Sequence, residues 1–278
     1  MVDHPSDRPL KSDCPALTPE EDAKRLAGLR SANGVGPWFG HRVFRRLILL
    51  VAATRMKGEI HGLDQLPQPA PTYYPPRYRR KGDSKISDFP FVVAPNHQHV
   101  LDIPLTGFIP RPMAWPSKPD FVRWTWLKWL NQPQGCIPFM RDVDWLKHPE
   151  YQKFTYTKDE MKDVVHRALR RGQPVVLYPQ GTRRDDDDLS DAKLGAMYAA
   201  LRANVPLVPL AIYGVGKTDE HRHTRLLRRS CAIAVVMGPI FPRDYMGGDR
   251  MVAHAMQRDW QLAIEKGREL AHVLQSTM

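Results

Sequence analysis

The sequence predicts an α/β domain, a β-sheet with helices on its faces. Short apolar runs rich in β-branched residues read as buried strands: FVVAP (91–95), PVVLYP (174–179), VPLVPLAIY (205–213) and CAIAVVMG (231–238). Segments with helical periodicity lie between and after them, and strand and helix alternate along the chain. With 278 residues, the chain is long enough for one large α/β domain with extensions.

The elements follow in order. Residues 1–36 read as an N-terminal arm, disordered to about residue 17. A short helix then opens at Thr18-Pro19-Glu20-Glu21, with Thr as N-cap, Pro at the first helical position and a Glu three residues after the Thr. The domain is expected to run from 37 to 278. A helix over 37–56 gathers Val43, Phe44, Leu47, Ile48, Leu50 and Val51 on one face, opposite Arg42, Arg45 and Arg46. Two readings fit it: a membrane-facing helix with basic groups toward anionic headgroups, or a helix packed on its own domain. Residues 68–90 are rich in Pro and Tyr and carry Arg77, Arg79, Arg80 and Lys81. This insert reads as a loop, with its basic run solvated or laid on lipid or an acidic carrier.

From Phe91 the strands begin. Leu101 to Phe108 reads as a helix, PMAW (112–115) as a weak strand and Phe121 to Leu130 as an aromatic helix. Lys158 to Arg171 aligns Met161, Val164, Val165, Ala168 and Leu169 on one face and stops at Gly172. Asp249 to Gln275 is a long closing helix.

Composition narrows the function. The formal net charge is +11, from 41 Lys and Arg against 30 Asp and Glu, which favours an anionic partner. That partner is a nucleic acid, an anionic membrane surface or a phosphorylated substrate. No helix-turn-helix, aromatic platform or zinc module supports nucleic acid. Cys14, Cys136 and Cys231 are odd in number and far apart, with neither disulfide nor zinc spacing, as in a reducing compartment. The polar N-terminus reads as lacking a secretory leader. The apolar run from Leu47 to Ala53 is far short of the roughly 18 to 20 residues of a spanning helix. A peripheral place at the cytoplasmic face of a membrane is the expectation.

The chemistry centres on NHQHVLD, Asn96 to Asp102. His97 follows a buried strand, where open α/β sheets place their sites. Asp102 comes five positions later, across a loop-to-helix junction, and its carboxylate can reach back to one imidazole nitrogen. The other nitrogen is then a proton acceptor. The bland reading is a histidine satisfied at a strand end. A metal reading joins His97 and His99 to His221 and His223, but no further cluster completes a ligand set, and no metal is expected. AIYGVGKT (211–218) imitates a phosphate-binding loop, but Ala211 replaces the first Gly, and an NTPase is rejected. In YPQGTRRDDDD (178–188), a strand ends in a Gly-Thr turn followed by Arg183 and Arg184, a combination suited to phosphate. GCIPFMRD (135–142) sets Arg141 beyond an apolar segment.

Taken together, these stretches resemble the glycerolipid acyltransferase family typified by lysophosphatidic acid acyltransferases. The family's NHxxxxD appears as Asn96-His97 through Asp102, and its Gly-apolar-Arg motif as Gly135 to Arg141. Its FPEGTR appears as Tyr178-Pro179-Gln180-Gly181-Thr182-Arg183, and its VPxxPhhI strand as Val205 to Ile212. A Lys-x-Gly follows the third motif as Lys193 and Gly195, and an hxGhxxLP lead-in runs from Ile60 to Pro67. The resemblance spans about residues 37–240 and implies a mixed β-sheet flanked by helices, preceded by a membrane-facing helix.

It also implies an O-acyltransferase using acyl-CoA or acyl carrier protein as co-substrate, with no cofactor, and a lysophospholipid acceptor on an anionic membrane surface. His97 would be the general base and Asp102 its orienting acid. Arg141, Gln180, Gly181, Thr182 and Arg183 would bind substrate, with the arginines on the acceptor's phosphate. Two departures from the pattern bear on the chemistry. Gln180 stands where the family has Glu, and His99 where Ser is common. The neutral Gln180 leaves open a different hydroxyl acceptor, or a lipid- or carrier-binding relative with little turnover.

Overall fold

The structure is a computed structural model. It describes residues 56–67, 89–97, 102–106, 109, 113–119, 136–141, 148–152, 155–181, 188–214 and 230–277. The N-terminal arm, the 68–88 part of the basic insert and the expected aromatic helix lie outside these residues. So does the expected helix over 37–56, apart from Met56, which opens a strand instead.

Five strands form the main sheet: β1 (Met56–His61), β2 (Val92–Pro95), β5 (Val175–Val176), β6 (Leu207–Tyr213) and β7 (Ser230–Val236). Their spatial order is β1-β7-β6-β2-β5. All neighbours are parallel except β6 and β7, so the sheet is mixed. Two short strands, β3 (Trp115–Ser117) and β4 (Cys136–Pro138), pair in parallel. A parallel bridge from Ala114 to Val175 joins them to the outer side of β5.

Both faces of the sheet are covered, which is why its strands read as unbroken apolar runs. Alternation sorts the side chains. On one face Val92, Ala94, Leu207, Ala211 and Ile233 pack beneath α3 (Lys158–Arg170), α4 (Gly195–Ala203) and α5 (Asp249–Ser276). On the other, Val93, Val208, Leu210 and Ala234 meet Leu105 of α1 (Asp102–Thr106) together with Ile109 and Met113. A further helical turn, α2, covers Pro149–Gln152.

The helices are set by local signals. Thr157 caps α3: its hydroxyl accepts from the Glu160 N–H at 3.3 Å, and the Glu160 carboxylate takes the Thr157 N–H at 2.8 Å. Gly172, at φ +83, ends that helix. Along α5, Val252, Met256, Trp260, Ile264 and Ala271 form the buried stripe. Gly267 brings this stripe close to the sheet, because a Cβ there would lie 2.5 Å from the Ala211 Cβ. The Trp260 indole N–H donates to the Ala94 carbonyl at 2.8 Å. This bond fixes α5 against the strand that leads into His97.

Candidate active site

Parallel pairing gathers the motif residues at one edge. β2, β4 and β5 run the same way, and His97, Arg141 and Gln180 each follow the carboxyl end of one of them. That edge is where ligands enter open α/β sheets.

Asn96 determines how the chain leaves β2. Its amide extends the pairing with β6 by one more step, bonding both the N–H and the C=O of Ile212. His97 therefore emerges at a fixed point. Asp102, the first residue of α1, brings its carboxylate back to the imidazole, with Nδ1 and Oδ2 3.0 Å apart. The Asp102 side chain is fully buried, while that of His97 keeps 14% of its surface exposed. An ionised buried carboxylate accepts, so the fitting tautomer has Nδ1–H donating to Asp102 and Nε2 carrying a lone pair. Such a pair can take a proton from an alcohol and hold the resulting imidazolium.

Two residues of the turn after β5 complete the surroundings of His97. The Tyr178 ring leans on the imidazole, with centroids 4.2 Å apart and planes at 37°. Its ring is half-buried, but its hydroxyl is buried and has no hydrogen-bond partner among the described residues. Burial, and after it the charge of Asp102, pushes the phenol well above its ordinary range, so it stays protonated. Gln180 is 3% exposed, and its Oε1 accepts the His97 backbone N–H at 2.6 Å. Gly181 turns the chain at φ +69, with the ammonium end of Lys193 lying over it.

A family model described as Acyltransferase matches residues 58–213. The chain belongs to the acyltransferase family.

Individual relatives agree. This acyltransferase is 31% identical over 122 residues to the human 1-acyl-sn-glycerol-3-phosphate acyltransferase beta, covering 44% of this chain and 40% of that protein. It is 26% identical over 185 residues to the chloroplastic 1-acyl-sn-glycerol-3-phosphate acyltransferase BAT2 of Brassica napus, covering 66% and 45%. It is 27% identical over 141 residues to the Escherichia coli 1-acyl-sn-glycerol-3-phosphate acyltransferase, covering 49% and 56%. The chain thus spans about half the length of the curated relatives it matches. Its fold is similar to that of the 1-acyl-sn-glycerophosphate acyltransferase of Thermotoga maritima, with a TM-score of 0.51 at 17% identity over 88% of this chain and 83% of that one.

The motif positions of this acyltransferase are therefore partly assembled in view. His97, Asp102 and Gln180 meet, and Gly181 follows directly. Arg141 stands exposed beyond β4. Thr182, Arg183, His99, His221 and His223 lie outside the described residues. Among the described residues no group of three His, Cys, Asp or Glu side chains forms a metal cage. Cys136 is buried beside Ser117, Oγ to Sγ 2.8 Å, and burial lifts its thiol to about 12. Such a thiol is a poor nucleophile.

Sequence reasoning placed Tyr178 and Asn96 within motifs but gave neither a role. The available signal for the first was a Tyr where the related motif has Phe. For the second it was an amide at a strand end, a residue type able to mimic a backbone pair.

Proposed function

We propose that this chain is a peripheral O-acyltransferase that moves a fatty acyl group from a thioester to the hydroxyl of a lysophospholipid, with lysophosphatidate giving phosphatidate. The observation that carries the reading is the 3.0 Å contact between His97 Nδ1 and the buried Asp102 carboxylate, at a sheet edge of an acyltransferase-family chain. The relatives' names, all 1-acyl-sn-glycerol-3-phosphate acyltransferases, support the acceptor.

His97 Nε2 takes the proton of the acceptor hydroxyl as its oxygen attacks the thioester carbonyl carbon. The carbon–sulfur bond then breaks, and the leaving thiolate takes the proton back from Nε2. Asp102 holds the tautomer and offsets the charge of the transient imidazolium. Arg141 and Arg183 hold the acceptor's phosphate. The donor is acyl-CoA or acyl carrier protein, both anionic and suited to a chain of net charge +11. The same charge suits an anionic membrane surface. No helix among the described residues is long and apolar enough to cross a membrane.

The test is transfer from acyl-CoA or acyl carrier protein to lysophosphatidate in anionic vesicles, with phosphatidate measured by mass spectrometry. The full chain is expected to make phosphatidate. His97→Ala should lose transfer by a factor of about 100 or more while the protein still folds, with a lowered melting temperature because the buried Asp102 loses its bond to His97. A His97→Ala protein working near the parent rate would remove His97 as base.

A further inference from the structure

Gln180 is one position where this chain departs from the motif it resembles, and its geometry gives the departure a purpose. Its amide is bonded at both ends. Oε1 accepts the His97 N–H at 2.6 Å, and Nε2 donates to the Asp188 carbonyl at 3.1 Å. Gln180 thus links the backbone at His97 to the backbone at Asp188.

The returning end is fastened in turn. The Asp188 carboxylate accepts the Ser190 N–H at 2.8 Å and the Ser190 hydroxyl at 2.7 Å. Gln261 of α5 donates to the Leu189 carbonyl at 2.9 Å, and Gln257 donates to that of Ala192. On the leaving side, the Gly181 N–H bonds the Tyr178 carbonyl at 3.0 Å, and the Lys193 N–H bonds that of Pro179 at 2.7 Å. The rest of this framework is held by its own bonds. Among the described residues, Gln180 bonds it to the backbone of His97.

We infer that Gln180 is a positioning residue: its amide couples the placement of His97 to that of the Asp188 return, and the donor half of the amide is essential to the coupling. A carboxylate at 180 has acceptors only. It would keep the His97 N–H but set an oxygen against the Asp188 carbonyl oxygen, a repulsion that the exposed Asp188 side screens in part and the buried residue 180 does not. The neutral side chain therefore fits both bonds that this backbone offers. The inference rests on the acyl-transfer reading for its activity readout alone.

Two variants separate the two bonds. Gln180→Glu keeps the bond to His97 and loses the one to Asp188, while Gln180→Met loses both at similar volume. Gln180→Glu is expected to raise the KM for lysophosphatidate about tenfold with a smaller change in kcat. Gln180→Met is expected to lower kcat about tenfold as well. The backbone amide resonance of His97 supplies a readout independent of turnover. A bond of 2.6 Å sets it downfield; it should stay there in Gln180→Glu and move upfield in Gln180→Met.

If the parent protein makes no phosphatidate, the acyl-transfer reading fails, and the His97 amide still decides the inference. A Gln180→Glu protein with kcat/KM equal to or above the parent overturns the coupling. So does a His97 amide resonance unmoved in Gln180→Met. Should Met at this buried position unfold the chain, Gln180→Glu decides alone: a fall in kcat/KM supports the inference and a rise overturns it.

Discussion

The side chain of Asn96 is bonded to the backbone of Ile212 at both ends, Nδ2 to the carbonyl at 2.9 Å and Oδ1 from the N–H at 2.7 Å. The residue is fully buried, so water cannot replace either bond. Asn96→Ala should cost about 1 to 3 kcal/mol in urea unfolding. Asn96→Asp should cost at least as much, because its carboxylate would face the Ile212 carbonyl. A loss below about 0.5 kcal/mol for both would mean that the exit from β2 is held by other contacts.

Tyr178 gives a prediction of opposite sign. Its buried hydroxyl has no partner among the described residues, and leaving such a group unsatisfied costs free energy. Tyr178→Phe keeps the ring against His97 and removes that cost. Its stability should equal the parent's or exceed it by about 1 kcal/mol. A drop of more than about 1 kcal/mol in the same unfolding assay would reveal a bond made by the hydroxyl.

Cys136 sets a pH dependence. Its thiol ionises at about 12 in the folded chain because burial disfavours the thiolate, with the Ser117 bond opposing. In the unfolded chain it ionises near its ordinary value of 9.0. The unfolded state therefore holds fewer protons above pH 9, and this contribution is full below that pH. It is lost as pH rises toward about 12, at up to about 1.4 kcal/mol per pH unit. Cys136→Ala should flatten the alkaline fall in stability by that share. At pH 8, peptide mapping after iodoacetamide should find Cys136 unmodified in the folded protein. Rapid labelling there would contradict its burial.

The sequence made some of this legible and concealed the rest for physical reasons. β2, β6 and β7 were legible because strands buried on both faces are continuously apolar. The edge strand β1, MKGEIH, mixes charged and apolar residues and adjoins a stretch with helical periodicity, so neither its start nor its existence stood out. α4 was missed as well: it is nine residues long, lacks a side-chain cap and buries mainly Ala and Met. In the site, His97 and Asp102 are five residues apart, and their meeting follows from a local junction. The contacts of His97 with Tyr178 and Gln180 join positions about 80 residues apart, and no local periodicity encodes them.

The strand order carries a consequence for biosynthesis. β1 is the first strand described, yet among the described residues it pairs with β7, with Met56 opposite Ser230 and His61 opposite Val235. Asn96 likewise awaits Ile212, and the β2 carbonyl of Ala94 awaits Trp260. On the ribosome β2 can pair once β5 and β6 have emerged, whereas β1 has to wait for β7. Translation arrested before β7 should yield a product that chaperones retain, with β1 unpaired and Ala94 lacking its Trp260 partner.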